Sequence, residues 1–193
     1  MNHSIDRVGN LIAVCGNSGS GKSTLVRHAL HELPGELKYM NTITTRPRRL
    51  DEDDVEYTFV SGLEYEQYRH SASIWDETII YGNRYGVNAT LHKEALDQGQ
   101  NVIFCTIPSF EVMEDMRSIY GQAVLKTVQL MAGLERSAEQ AKARDGAVDL
   151  GRTASDNTTD NDDQFEADYT LVPSGSLGTD KVNFLNIIRI IIS

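Results

Sequence analysis

Gly16-Asn17-Ser18-Gly19-Ser20-Gly21-Lys22-Ser23 is the stretch on which the reading of this 193-residue chain turns. It matches the pattern G-x-x-x-x-G-K-[ST], and it stands in the context that the pattern requires. Ahead of it, Leu11-Ile12-Ala13-Val14-Cys15 is an apolar run of strand length. Behind it, Leu25, Val26, Ala29, Leu30 and Leu33 recur at helix spacing until Pro34-Gly35 stops the pattern. A strand, a glycine-rich turn and a helix start together make a cradle for phosphate. The glycines let successive backbone N–H groups turn inward, and the helix start adds its positive dipole end. In such a loop the lysine neutralises the outer phosphate oxygens and the following hydroxyl ligates Mg²⁺. The residues expected to hold ATP are therefore Gly16, Asn17, Ser18, Gly19, Ser20, Gly21, Lys22, Ser23 and Thr24, with Ser23 as the metal ligand.

Outward from this loop, strand-length apolar runs alternate with helical periodicity, the signature of an α/β domain with a largely parallel sheet. Val102 to Cys105, Val124 to Met131 and Asp168 to Val172 are the further strand candidates. Leu91 to Gln98, closed by Gly99, and Glu111 to Ile119, capped by Ser109, are the intervening helices. Val182, Leu185, Ile188 and Ile191 predict a closing helix, with a short strand as the alternative because of Ile190-Ile191-Ile192. Thr42 to Gly86 breaks the alternation. It holds Tyr57-Thr58-Phe59-Val60, the capping-box pattern Ser61-Gly62-Leu63-Glu64 and the aromatic-rich Ile74 to Tyr85, and reads as an inserted small sheet with a helix. From Asp145 to Asp168 eight acids face a single basic residue, Arg152, and such a stretch is expected to pack poorly and be mobile.

The net charge of −10 argues against a general nucleic-acid binder, and no apolar run approaches a membrane-spanning length. Met1 to Val8 lacks the apolar stretch of a signal peptide, so a cytoplasmic protein is expected. Cys15 and Cys105, each in an apolar strand run, read as small buried thiols. The charge is unevenly spread. Lys22 to Arg49 carries six basic residues against two acids, a local +4 that leaves −14 on the rest. A small cationic site in an acidic shell suits a mononucleotide and repels a long polyanion. The guanine-reading N-K-x-D of GTPases and a D-x-x-G after a strand are both absent, which points to a small-molecule kinase.

Three further stretches complete the pattern: Thr44-Thr45-Arg46-Pro47-Arg48-Arg49, Glu56-Tyr57-Thr58-Phe59-Val60-Ser61 and Tyr81-Gly82-Asn83-Arg84-Tyr85-Gly86. With the phosphate loop, and in this order from about residue 10 to residue 100, they resemble guanylate kinase. The resemblance implies a three-layer P-loop kinase fold in one domain: a core of residues 9–40, 87–131 and 165–193, an insert binding the nucleoside monophosphate (NMP) at 41–86, and a lid at 132–164. It implies Arg46 and Arg49 as acceptor-phosphate arginines, Tyr57 and Tyr85 as phosphate-binding tyrosines, and Thr42 near the acceptor. Asp76 stands where the family has a guanine-binding glutamate, and Arg144 falls at the lid's arginine-glycine corner. Lys22, Arg46, Arg49 and Arg144 are thus the expected catalytic group. Paired guanidinium forks grip a phosphate bidentately, and tyrosine hydroxyls complete its shell without adding charge.

The second half departs from that pattern. Cys105 and Ile107 replace the family's two aspartates, one organising Mg²⁺ and one reading guanine, and Val87 replaces a hydroxyl. Gln140 replaces a lid arginine, with Lys142 and Arg152 as candidate compensations, and Pro173-Ser174 replaces an asparagine-aspartate pair. The expected activity is phosphoryl transfer from ATP to GMP or dGMP, with nucleotides as the partners. Two alternatives stay open: a same-fold kinase for a modified deoxynucleotide or a ribose bisphosphate, and a non-catalytic binding module.

Overall fold

The structure is a computed structural model that describes residues 8–17, 19–48, 55–71, 74–80, 82–106, 110–121, 124–131 and 166–193. Ser18, Arg49, Ile107, the expected lid with Gln140, Lys142, Arg144 and Arg152, and nearly all of the acidic stretch lie outside the described residues. In chain order the elements are β1 (Leu11–Cys15), α1 (Lys22–Glu32), β2 (Leu37–Tyr39), β3 (Thr42–Thr44), β4 (Tyr57–Phe59), α2 (Gly62–His70), β5 (Ile74–Ile80), β6 (Asn83–Asn88), α3 (Ala89–Asp97), β7 (Asn101–Thr106), α4 (Phe110–Tyr120), β8 (Leu125–Leu130), β9 (Tyr169–Leu171) and α5 (Leu177–Ile192).

Five strands form a wholly parallel sheet in the order β2-β7-β1-β8-β9. The alternation of side chains along β1 divides the core into two layers. Ile12 and Val14 pack with Leu25, Val26 and Ala29 of α1 and Phe184, Leu185 and Ile188 of α5. Leu11, Ala13 and Cys15 pack on the other face with Ala95 and Leu96 of α3 and Met113 and Met116 of α4. Both faces are covered, which explains why the strand runs show no polar alternation.

The closing segment is a helix. Ser176 caps it by accepting from Thr179 N, and Phe184, Leu185, Ile188 and Ile191 bury one stripe. That tertiary burial outweighs the modest helix penalty of three consecutive isoleucines. Asp168, the end of the acidic run and the start of the strand expected at Asp168 to Val172, anchors β9. Its Oδ2 accepts from Thr127 N and Thr127 Oγ1, each at 2.8 Å.

The insert is the expected small sheet with a helix. Its order is β4-β3-β6-β5, with β3 parallel to β4 and antiparallel to β6. The capping box forms as the pattern predicts: Ser61 N donates to Glu64 Oε2 at 2.7 Å and Glu64 N to Ser61 Oγ at 3.2 Å. β6 passes directly into α3, whose first turn Asn88 caps by accepting from Leu91 N at 3.0 Å. The helix therefore begins at Ala89, two residues before the apolar periodicity shows it. α3 packs against both β7 and β5, so it joins the two sheets. No helix among the described residues is long and apolar enough to cross a membrane.

Candidate active site

The phosphate loop leaves the carboxyl end of β1, between β7 and β8, where parallel sheets open a crevice for ligands. Its glycine at position 16 is obligatory on packing grounds. A Cβ there would lie 2.9 Å from Ser20 Oγ and 3.0 Å from the Leu130 carbonyl oxygen. Ser20 N donates to Asn17 O at 3.1 Å and tightens the turn. Lys22 opens α1, and its Nζ donates to the carbonyl oxygens of Gly16 at 2.5 Å and Asn17 at 2.8 Å. The ammonium is thereby held over the loop rather than out in solvent. Ser20 Oγ is buried and lacks a hydrogen-bond partner among the described residues, so the loop carries a hydroxyl able to serve an oxygen ligand. Gly19, Gly21 and Ser23 are half-buried, and Thr24 is exposed on α1.

Cys105 sits beside this loop. Hydroxyls of Ser23 and Tyr39 hydrogen-bond its sulfur, and Lys22 is close enough to act on it electrostatically. Burial is nevertheless the larger influence and pushes the thiol up to about 11, so at neutral pH the group is an uncharged thiol. Cys15, on the other face of β1, is pushed up to about 12 by the same cause. Burial also raises Tyr39. Tyr39 carries no motif signal; its place at the end of β2, in parallel register with Ile103, brings it to the site.

Strand register builds the acceptor side. Thr42 pairs with Tyr57 on one side and Val87 on the other, and Thr44 pairs with Phe59 and Tyr85. Positions two apart share a face, so Thr42, Thr44, Tyr57, Phe59, Tyr85 and Val87 all line one surface of the small sheet. The Tyr57 and Tyr85 rings meet edge to face with centroids 6.4 Å apart. Arg46 lies two residues past the end of β3, and its guanidinium lies over Tyr57 at 5.2 Å and over Phe59 at 5.3 Å. Arg48 lies over Phe59 at 4.8 Å. The described residues thus bring together Thr42, Arg46, Tyr57 and Tyr85.

Asp76 is part of β5, at a register shift. Trp75 pairs with Val87 and Thr78 with Tyr85, so Asp76 and Glu77 together oppose Gly86. The side chain of Asp76 is outside the description. The opposite face of the small sheet rests on Tyr65 of α2, which is fully buried. A Cβ at Gly86 would lie 2.7 Å from the Tyr65 hydroxyl, so the sheet and α2 approach each other too closely for any side chain there.

Two residues not singled out by the motif reading lock the arginine-bearing loop. Thr44 Oγ1 donates to Arg84 O at 2.8 Å and accepts from Arg46 N at 3.1 Å. Arg84 N donates to Thr45 Oγ1 at 2.9 Å, while the Arg84 side chain pairs with Glu66 of α2 and lies over Tyr65. The alternation of Thr42 and Thr44 with the core residue Ile43 was the available sequence signal for Thr44. Nothing local marks Arg84.

The two sides adjoin. Arg27 Nε on α1 pairs with Glu56 Oε1 at 3.1 Å, immediately before β4. Lys22 from the loop and Glu56 from the insert are both close enough to Cys105 to act on it electrostatically.

Comparison with known proteins bears on the family and the fold. The family model described as guanylate kinase matches residues 8–106. A guanylate kinase of Chlorobium luteolum is 34% identical over 104 residues, which cover 53% of this chain and 52% of that protein. One of Rubrobacter xylanophilus is 32% identical over 161 residues, covering 72% and 83%. Against several other curated relatives the match spans about half of the relative's length. The crystal structure of guanylate kinase from Anaplasma phagocytophilum superposes with a TM-score of 0.66 at 18% identity, over 96% of this chain and 87% of that one, a likeness of fold.

Proposed function

This chain belongs to the guanylate kinase family, and from that premise we propose that it transfers the terminal phosphoryl group of ATP to GMP or dGMP. One observation carries the reading. Register sets Thr42, Tyr57 and Tyr85 on one face with Arg46 over it, and the Arg27–Glu56 ion pair links the insert to α1, the helix that follows the phosphate loop.

In this reading the loop amides and Lys22 hold the donor phosphates, and Lys22 exchanges its carbonyl partners for phosphate oxygens. Arg46, with Arg49, grips the acceptor phosphate, and the Tyr57 and Tyr85 hydroxyls complete its shell. The acceptor is already an anion, so no general base is needed, and rate is gained by alignment and charge stabilisation. Mg²⁺ bound to ATP supplies charge neutralisation between the phosphates. The Ser23 hydroxyl is a hard oxygen suited to that ion, whereas its neighbour Cys105 is a neutral thiol. The donor set accordingly fits an ion that arrives with the nucleotide, the remaining ligands being phosphate oxygens and water. Arg144 and the rest of 132–164 act as the lid in this scheme. Asp76 reads guanine, and the acidic surroundings favour a mononucleotide over nucleic acid.

A second reading, transfer to a different phosphorylated acceptor, is favoured by Val87. It occupies the acceptor face where a hydroxyl is expected, opposite Thr42. The test is ATP with Mg²⁺ against a panel of nucleoside monophosphates and ribose bisphosphate, with diphosphate formation as the readout. Turnover of GMP and dGMP supports the proposal. Turnover of other acceptors alone transfers the assignment to the second reading, and binding without turnover identifies a module.

A further inference from the structure

We propose that Arg84 is a positioning residue of the acceptor site: through its ion pair with Glu66 of α2, on the face of the small sheet turned away from the acceptor, it sets the loop that carries Arg46. The inference rests on the acceptor-site reading above, and it gives a role to a side chain that does not itself reach the acceptor face.

Neighbours along β6 point to opposite faces of the sheet. Tyr85 belongs to the acceptor face, so Arg84 and Gly86 belong to the face that rests on α2. There the Arg84 guanidinium pairs with Glu66 and lies 5.6 Å from the centroid of the Tyr65 ring. The Arg84 main chain meets the end of β3. Its carbonyl oxygen accepts from Thr44 Oγ1 at 2.8 Å and from Thr45 N at 3.1 Å, and its N–H donates to Thr45 Oγ1 at 2.9 Å. The same Thr44 hydroxyl accepts from Arg46 N at 3.1 Å. Thr44 is fully buried, so the relay from Arg84 O through Thr44 Oγ1 to Arg46 N is shielded from solvent at its centre. Arg46 in turn donates from Nη1 to Pro47 O at 2.9 Å and lies over the Tyr57 and Phe59 rings. The place of its guanidinium therefore follows the loop backbone, and the loop backbone follows Arg84.

α2 is the anchor for this relay. A capping box fixes its first turn, and Glu66 stands in a line of alternating charge. Glu66 Oε1 pairs with Arg84, Glu66 Oε2 with Arg69 Nη1 at 3.6 Å, and Arg69 Nε with Glu77 Oε2 of β5 at 3.2 Å. The helix is thereby linked to β5 and β6 at once. The hydrogen bond from Arg84 holds the Glu66 carboxyl below its ordinary value, so the pair is ionised at neutral pH. An isolated surface pair does little, but charges joined in a network hold their geometry better. An acceptor arginine two residues past the end of its strand needs such support, because a misplacement of about 1 Å is enough to spoil the alignment of a bound phosphate.

The test uses the full chain, with GMP and a non-hydrolysable ATP analogue as the probes, read by calorimetric titration of each alone and by steady-state turnover. Glu66→Gln is expected to raise the Kd and KM for GMP by about three- to fivefold. The sign is diagnostic. The substitution removes a negative charge, which by electrostatics alone would tighten the binding of an anion, whereas loss of positioning weakens it. The Kd of the ATP analogue and kcat at saturating GMP stay within about twofold of wild type. Arg84→Gln gives the same loss of GMP binding, the double variant loses no more than either single one, and neither change adds to the loss in an Arg46→Ala background. If Glu66→Gln does not fold, Thr45→Val breaks the link between Arg84 N and the loop while leaving the ion pairs whole, and the same loss of GMP affinity is expected. Unchanged or tighter GMP binding in Glu66→Gln, an equal loss of the ATP analogue, or full additivity with Arg46→Ala overturns the inference. A wild-type protein that binds no GMP instead overturns the acceptor-site reading beneath it.

Discussion

The donor and acceptor sides of this site are built from different materials. Residues 16–23 are consecutive, and what they offer a phosphate is mostly backbone. The acceptor face gathers Thr42, Thr44, Arg46, Tyr57, Phe59 and Tyr85 from three strands, and what it offers is side chains. A backbone cradle tolerates changes in most of its side chains but not an added Cβ at its tightest point. A side-chain cradle depends on register, so it is sensitive to whatever holds the strands in place. The lysine that crowns the loop is the exception on the donor side, and the glycine beneath the acceptor sheet is the exception on the other.

The largest effect tests the first exception. Lys22→Ala removes the side-chain charge of the phosphate loop, and kcat is expected to fall by about 10²–10³-fold. Lys22 is only half-buried and its bonds go to loop carbonyls, so circular dichroism and melting should stay near wild type. A small loss of turnover would mean that loop amides alone carry the donor.

The joint between the two sides gives the next effect. His92 on α3 is fully buried, and neither ring nitrogen has a hydrogen-bond partner among the described residues. Burial, with Lys38 nearby, lowers its pKa to about 4 from the ordinary 6.5. A depressed histidine binds its proton more weakly folded than unfolded. The folded state therefore keeps full stability above pH 6.5, loses it as pH falls from 6.5 towards 4, and loses no more below that. The total for this group is about 3 kcal/mol at most, from about 1.4 kcal/mol per pKa unit. Urea melts at pH 7 and pH 4.5 should differ far less in His92→Leu than in wild type. An equal acid loss in both would remove His92 from the account.

Gly86→Ala strikes the support of the acceptor face. The new methyl meets the Tyr65 hydroxyl and Ile74 Cγ2 from the underside, and overpacking of this kind costs about 1–3 kcal/mol. Because Gly86 lies between Tyr85 and Val87, affinity for GMP should drop while affinity for an ATP analogue holds. Equal losses for both ligands would show that the two sides are not separable. The smallest effect belongs to the tether. Arg27 is half-exposed, so Arg27→Ala removes an ion pair worth under about 1 kcal/mol, and GMP binding should weaken by no more than about fivefold, less at high salt.

How much of this was legible follows the same division. The phosphate loop could be read residue by residue because β1, the turn and α1 are adjacent in sequence and each is locally determined. Tyr57 and Tyr85 could be nominated only through the family resemblance, since nothing in a 28-residue separation states that Thr42 and Thr44 bring their strands together. Arg84 escaped the reading for that reason: its contacts with Thr44 and Thr45 exist only once the register is known. Tyr39 escaped because a tyrosine ending a short, partly buried strand looks like any packing aromatic. α5 illustrates the reverse case, where three consecutive isoleucines left strand and helix open and burial against α1 and the sheet decided.

The most direct measurement is a crossed titration of Lys22→Ala and Arg46→Ala with a non-hydrolysable ATP analogue and with GMP, each alone. The account predicts opposite losses: Lys22→Ala binds GMP as wild type does and loses the ATP analogue, whereas Arg46→Ala binds the analogue and loses GMP by about tenfold or more. Loss of both ligands by both variants, or retention of GMP by Arg46→Ala, would contradict the division into a donor loop and an acceptor sheet.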